Sequence, residues 1–288
     1  MPPETGRRRV ATPVSVPDVP AMAVELHEAR RHRTTVSPFT ERAGGLDEET
    51  AYAVQARGIA LREEAGERVV GGKLGFTSEA MRRAMGVDHP NYGWLTDAMV
   101  LAGGDVDLDA LIHPKVEPEI AFVLGHDLDG PGVTAADVLA ATAALAPCLE
   151  VVDSRYTGFR FAAADNIADD SSAGKVVLGE PVPVAALEGA DLRLLGCVVT
   201  VDGALAHTAA GAAAHGDPAE AVAWMVGACG RPLPAGSVVI SGGLTPPVDL
   251  TEGMMVAVEV DRLGSCRLRA VRSGTDHAEP REEQPCRS

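Results

Sequence analysis

Two glutamates stand two residues apart in Val116-Glu117-Pro118-Glu119-Ile120, at the head of an apolar run that reads as a strand ending at Leu124. Side chains alternate faces along a strand, so Glu117 and Glu119 point the same way. Two like charges aimed together repel and lose hydration, and a divalent cation is an economical compensation. The same spacing also fits a solvent-facing edge, or glutamates paired with arginines. Glu150, in Leu149-Glu150-Val151-Val152, is a third carboxylate among apolar neighbours. A buried carboxylate is costly unless paired or metal-bound, and its other candidate partner is an arginine such as Arg155. Three glutamates make a hard oxygen donor set, suited to Mg²⁺ or Mn²⁺ over Zn²⁺.

Lys73 is framed by Gly71, Gly72 and Gly75. Glycines let backbone approach a ligand closely, and a lysine there can meet an anion. The stretch lacks phosphate-loop spacing, and an exposed turn lysine is the plainer alternative. Asp169-Asp170-Ser171-Ser172 forms a polar loop that could line a site. Ser241-Gly242-Gly243-Leu244-Thr245 is a Gly-rich turn whose free amides and Thr245 hydroxyl could hold a carboxylate. No His-x-x-x-His pair and no serine-histidine-aspartate arrangement can be assembled from the sequence.

The elements that must carry these groups are short. Helices are expected over residues 21–33, 48–64 with Asp47 as cap, 79–85, from Thr134 onward through the Ala/Leu run, and 217–228 with Pro218 in the first turn. Strands are expected over 69–77, 97–106 (strand or loop), 116–124, 148–153, 175–178, 194–201 and 237–241. Residues 256–260 and 266–271 read as a closing hairpin. Many short strands with few helices between them indicate a mixed, β-rich α+β domain. The expected organisation is an arm at 1–18, a helical part at 19–66, a catalytic β-rich domain at 67–272 and a polar tail at 273–288. Pro118 marks an edge or bulge, because proline cannot donate to a ladder.

Composition narrows the function. The chain has 288 residues, 46% hydrophobic, with a net charge of −16. Such acidity disfavours nucleic acid, whose phosphates need clustered cations; the one basic run, Arg7-Arg8-Arg9, lies in the arm. No stretch is apolar enough to span a membrane, and no secretory signal is visible. Five widely spaced cysteines suit thiols in a reducing, cytoplasmic compartment.

Taken in order, five pieces resemble the fumarylacetoacetate hydrolase superfamily, in its branch of 2-oxo-4-pentenoate hydratases and 4-oxalocrotonate decarboxylases. They are Gly72-Lys73-Leu74-Gly75-Phe76-Thr77-Ser78, Ile112 through Ala121, Leu149 through Tyr156, Val222-Ala223-Trp224, and Ser241 through Thr245. The resemblance runs from about Glu49 to Leu268. It implies a mixed β-roll with a small helical N-terminal part. It implies Glu117, Glu119 and Glu150 as ligands of Mg²⁺ or Mn²⁺, Lys73 in the active site, and Gly75, Ser171 and Thr245 against the substrate. The implied activity is a lyase on a small 2-oxo acid. Decarboxylation of 2-oxo-3-hexenedioate to 2-hydroxypenta-2,4-dienoate comes first. Hydration of 2-hydroxypentadienoate, or a biosynthetic or C–C hydrolase relative, is the alternative. A homo-oligomer, and a complex with a partner hydratase or decarboxylase, are implied as well. Two departures stand out: Asp170 where the family usually has Asn, and Lys175 where a small or uncharged residue is usual. Both are expected near the site.

Overall fold

The computed structural model describes residues 17–273. The arm (but for Pro17 and Asp18), the Arg7–Arg9 run, Cys286 and the tail (but for Ser273) lie outside the described residues. The chain opens with α1 (Val19–His32) and α2 (Glu48–Glu64). Next come β1 (Val69–Gly75), α3 (Glu79–Met85), β2 (Asn91–Thr96), β3 (Val100–Leu101) and β4 (Asp105–Asp107). The middle holds β5 (Lys115–Leu124), α4 (Ala135–Ala141), β6 (Thr142–Val152), α5 (Ala163–Ala168), β7 (Ala173–Leu178) and β8 (Val182–Pro183). Last are β9 (Gly196–Val201), β10 (Ala204–Ala210), α6 (Pro218–Cys229), β11 (Val238–Ile240), β12 (Val248–Asp249), β13 (Met255–Val260) and β14 (Gly264–Val271).

The strands form two mixed sheets. The larger runs β2-β1-β11-β5-β6-β7-β3, with β12 also on β5 and β8 on β6; the smaller runs β10-β9-β13-β14-β4. Parallel pairs (β1 with β11, β3 with β7, β4 with β14) are mixed with antiparallel ones, giving an α+β fold. β5 and β6 are the spine, with Ile120, Phe122, Leu145 and Leu149 almost wholly buried between the layers. Among the described residues no helix is long and apolar enough to cross a membrane.

Side-chain oxygens at the helix ends satisfy amides that the helix leaves unpaired. Asp18 accepts from Ala21 N at 3.1 Å, Asp47 from Thr50 N at 2.8 Å and Asp217 from Ala219 N at 2.8 Å. Thr134 and Asp137 close a capping box on α4. α1 and α2 pack through Ala23, Leu26, Ala51 and Val54 onto Phe39, Tyr156 and Ile167. Phe39 and Tyr156 meet edge to face at 5.9 Å.

Several elements differ from expectation. α4 stops at Ala141 and β6 begins at Thr142, although the Ala/Leu run continues. There the pairing of Phe122 with Leu145 and Ala121 with Ala146 overrides helix propensity, because it buries both strands. β2, β8, β10 and β12 appear where no strand is expected, and α5 forms just before the polar loop at 169–172. α5 is anchored by Asp165, which accepts from Ala162 N at 3.0 Å and from Thr40 N at 3.0 Å.

Candidate active site

β5 presents Glu117 and Glu119 on one face, as the strand period requires. In the antiparallel ladder Glu117 lies directly opposite Glu150 of β6, and opposite residues share a face. Oxygen atoms of the three carboxylates lie within 4.8 Å of one another. Glu119 and Glu150 are 0% exposed, while Glu117 opens onto a cavity. Pro118 sits where the neighbouring strand is interrupted: β11 pairs with Ala121–Val123 and β12 with Lys115–Val116. Between them runs the 241–247 loop, and Leu244 N donates to Pro118 O at 2.9 Å. The missing proline donor therefore falls at a gap in the ladder.

Lys73 arrives from β1, three strands from β6 in the sheet order. The sheet curls enough that Lys73 Nζ makes an ion pair with Glu150 Oε2 at 3.1 Å. Nζ also donates to Ser171 O at 2.9 Å and Ser171 Oγ at 3.2 Å. Lys73 is thus buried and fully engaged. Burial opposes its charge, but Glu150, Glu119 and Glu117 outweigh that and raise its pKa. Burial and then the charge of Glu150 push the Glu117 carboxyl up to about 7. The same two causes raise Glu119 well above the usual carboxylate range. Burial raises Glu150 too, against the pull of Lys73.

Ser171 sits on a strained turn. Asp170, Ser171 and Ser172 have φ of 54, 51 and 57°, three successive left-handed residues without a glycine. Each costs about 1–2 kcal/mol, and such strain persists only where neighbours over-determine it. Here Asp170 Oδ1 accepts from Trp94 N at 2.8 Å, and Ser172 O from Asp153 N at 2.8 Å. Ser171 Oγ donates to Asn91 Oδ1 at 2.9 Å, Asn91 Nδ2 to Asn166 Oδ1 at 2.8 Å, and Asn166 Nδ2 to Ser172 Oγ at 3.0 Å. Gly75 belongs to this arrangement, since a side chain there would collide with both Asn91 and Ser171. Asn91 is a residue the sequence reading misses, for it lies on the unforeseen strand β2. The glycine opposite it in register, Gly75, was the available signal.

The other expected residues divide. Thr245 lines a cavity of about 420 Å³ with Glu117 and Gly75, though its hydroxyl donates to Pro246 O at 3.1 Å. The amides of the Gly-rich turn are less free than expected. Gly242 N donates to Glu119 Oε2 at 2.7 Å, so the turn holds a carboxylate of the protein itself. Asp170 serves Trp94 N, with Arg62 Nη1 3.8 Å from its other oxygen. Lys175 is not a base of the site. Its neighbour Val176 pairs with Glu150, so Lys175 points to the opposite face, where Nζ donates to Ala98 O at 2.8 Å.

The carboxylates fit a divalent cation. Among the described residues neither Glu119 Oε1 nor Glu150 Oε1 meets a donor, and Glu150 Oε2 has only the Lys73 Nζ contact at 3.1 Å. Buried acceptors left this way are expensive. Once deprotonated, three carboxylates against one lysine leave two negative charges for a divalent ion to offset, and all the donors are hard oxygens.

Fold and site together define a mixed α+β protein with a buried cluster of three carboxylates beside a lysine. The family profile described as fumarylacetoacetate (FAA) hydrolase C-terminal matches residues 75–271, and the chain belongs to this family. It is 40% identical over 250 residues to 2-hydroxyhexa-2,4-dienoate hydratase of Comamonas testosteroni, covering 85% of this chain and 94% of that one. It is 40% identical over 225 residues to 4-oxalocrotonate decarboxylase of Pseudomonas putida, covering 77% and 84%. A solved structure of 4-oxalocrotonate decarboxylase from Pseudomonas putida G7, complexed with magnesium and adipate, superposes with a TM-score of 0.83 at 35% identity, covering 88% of this chain and 97% of that one.

Proposed function

We propose that this chain is a divalent-metal-dependent lyase acting on a short 2-oxo acid, with Glu117, Glu119 and Glu150 holding Mg²⁺ or Mn²⁺. The convergence of the three carboxylates beside Lys73 carries this reading. When bound, the ion supplies Lewis acidity toward the 2-oxo group of the substrate. The residues of the chain supply the rest. Lys73, kept protonated by the carboxylates around it, offers a proton where negative charge builds. Ser171 and the Asn91–Asn166 pair fix the Nζ position, which matters because small misplacements cost rate steeply. Gly75, Phe76, Met81 and Glu117 border both adjoining cavities, and the apolar members keep water from the carbon chain.

Decarboxylation of 2-oxo-3-hexenedioate is the first reading. The bond to the far carboxyl carbon breaks, and its electron pair moves through the alkene toward the 2-oxo oxygen. A proton there gives 2-hydroxypenta-2,4-dienoate and CO₂. The likeness to the decarboxylase of Pseudomonas putida G7 supports it. Hydration of a 2-hydroxydienoate is the second reading, supported by the hydratase of Comamonas testosteroni. Four free thiols among the described residues support a reducing, cytoplasmic setting. The edge strand β10, with Leu205 exposed, is consistent with assembly of further copies of the chain.

The test is CO₂ release from 2-oxo-3-hexenedioate by purified protein with Mg²⁺ or Mn²⁺. Loss of the diene from 2-hydroxypenta-2,4-dienoate is followed in parallel. Activity in one assay, abolished by chelator and by Glu117→Ala, is expected. Activity indifferent to both treatments contradicts the reading.

A further inference from the structure

β5 carries a row of charge, not only a pair. By the strand period Lys115 points the same way as Glu117 and Glu119. Its side chain lines the cavity of about 280 Å³ that also contains Lys73, Glu117 and Ser171. Nζ lies 5.2 Å from the centre of the Phe159 ring and donates to Asp249 Oδ1 at 2.6 Å. Asp249 is its register partner on β12. The Lys115 side chain is 27% exposed and that of Asp249 78%, so the lysine belongs to the wall and the aspartate to the rim.

The remainder of this wall is largely apolar, with Phe76, Met81, Met85, Phe159 and Phe161. It accommodates a carbon chain but offers no counter-charge. Lys73 is already committed to Ser171 and Glu150. Lys115 is the other cation lining the cavity, and its partner Asp249 is weakly held because exposed ion pairs contribute little. A strand advances about 3.3 Å per residue, which sets the Lys115 backbone roughly 7 Å from that of Glu117. That separation suits the two ends of a short dicarboxylate.

We propose that Lys115 is the specificity-determining residue that reads the second carboxylate of a dicarboxylic 2-oxo acid, and that Asp249 occupies it until the substrate enters. This rests on the 2-oxo acid reading above and separates its two forms: a dicarboxylate uses Lys115, whereas a 2-oxo acid with an alkyl end does not.

Calorimetry on the full Mg²⁺-loaded chain tests it with two unreactive ligands. One is 2-oxoadipate; the other is 2-oxohexanoate, which lacks the second carboxylate. The native chain is expected to prefer 2-oxoadipate by about tenfold, the worth of one charge-assisted contact. Lys115→Met abolishes the preference and leaves 2-oxohexanoate binding unchanged, which also shows that the site is intact. Lys115→Arg retains it. Asp249→Asn strengthens 2-oxoadipate alone. A preference that survives Lys115→Met, or equal losses for both ligands, overturns the role of Lys115. Failure of the native chain to bind either ligand overturns the 2-oxo acid reading beneath it.

Discussion

Glu150 and Asp169 are both buried carboxylates beside a cation, and their surroundings differ. Asp169 is saturated. Its Oδ1 accepts from Arg155 Nε, and its Oδ2 from Arg155 N at 2.9 Å. Arg155 spends its remaining donors on the carbonyls of Asp153, Ala173 and Asp169. Glu150 has Lys73 Nζ at 3.1 Å from Oε2 and no partner at Oε1 among the described residues. Buried polar groups are normally satisfied, so an incomplete set is the informative one. The Arg155–Asp169 pair closes a structural joint beneath α5. The Glu117–Glu119–Glu150 cluster leaves acceptors for something from outside.

The largest effect expected from breaking this comparison is on the saturated side. Asp169→Asn leaves Arg155 buried without a counter-charge, which costs about 3–5 kcal/mol of folding stability. Chemical denaturation should read this as a lower midpoint with an unchanged slope. A loss under 1 kcal/mol would move the joint out of the structural class.

A smaller effect sharpens the open side. The Glu117 carboxyl, at about 7, keeps its proton in the metal-free protein below that pH and must release it to act as a ligand. Glu119, held higher still, must release a proton as well, so Mg²⁺ affinity should fall as the pH drops below 7, by at least about tenfold per pH unit. Titrations at several pH values check the slope. A flat profile between pH 5 and 8, a window set by about two units around that value, contradicts the assignment.

The smallest effect belongs to Thr245. Its hydroxyl donates to the carbonyl of the adjoining residue, and it is only half-buried. Thr245→Val should change stability by no more than about 0.5 kcal/mol. Any change in Michaelis constant then reports substrate contact directly.

The carboxylate set was legible in the sequence because strand alternation is a local rule: Glu117 and Glu119 must share a face wherever β5 goes. The register that sets Glu150 opposite Glu117 is a property of two strands and is not written in either. The expected active-site lysine does stand beside Glu150, but only the curl of the sheet brings it there. What the sequence reading lost was long-range. Asn91 is bonded to Ser171, 80 residues away. The left-handed turn at 170–172 has no glycine to announce it. The Ala/Leu run after Thr134 has helix propensity throughout and yields to strand pairing from Thr142, because burial against β5 outweighs propensity. Lys175 shows the same limit in reverse: near Glu150 in register, it is carried to the other face.

The most direct test of the central claim is a thermal melt of the native chain and of Glu119→Gln, each with and without Mg²⁺. Glutamine can still accept from Gly242 N but replaces the unpartnered Glu119 oxygen with an amide that is a poor metal ligand. The account predicts that Mg²⁺ raises the melting temperature of the native chain. In Glu119→Gln that shift should vanish, reflecting at least about a hundredfold loss of affinity. The metal-free variant should melt no lower than the native protein. A variant that melts well below the native protein, or that keeps the full Mg²⁺ shift, would show that the cluster is part of the scaffold instead of a binding site.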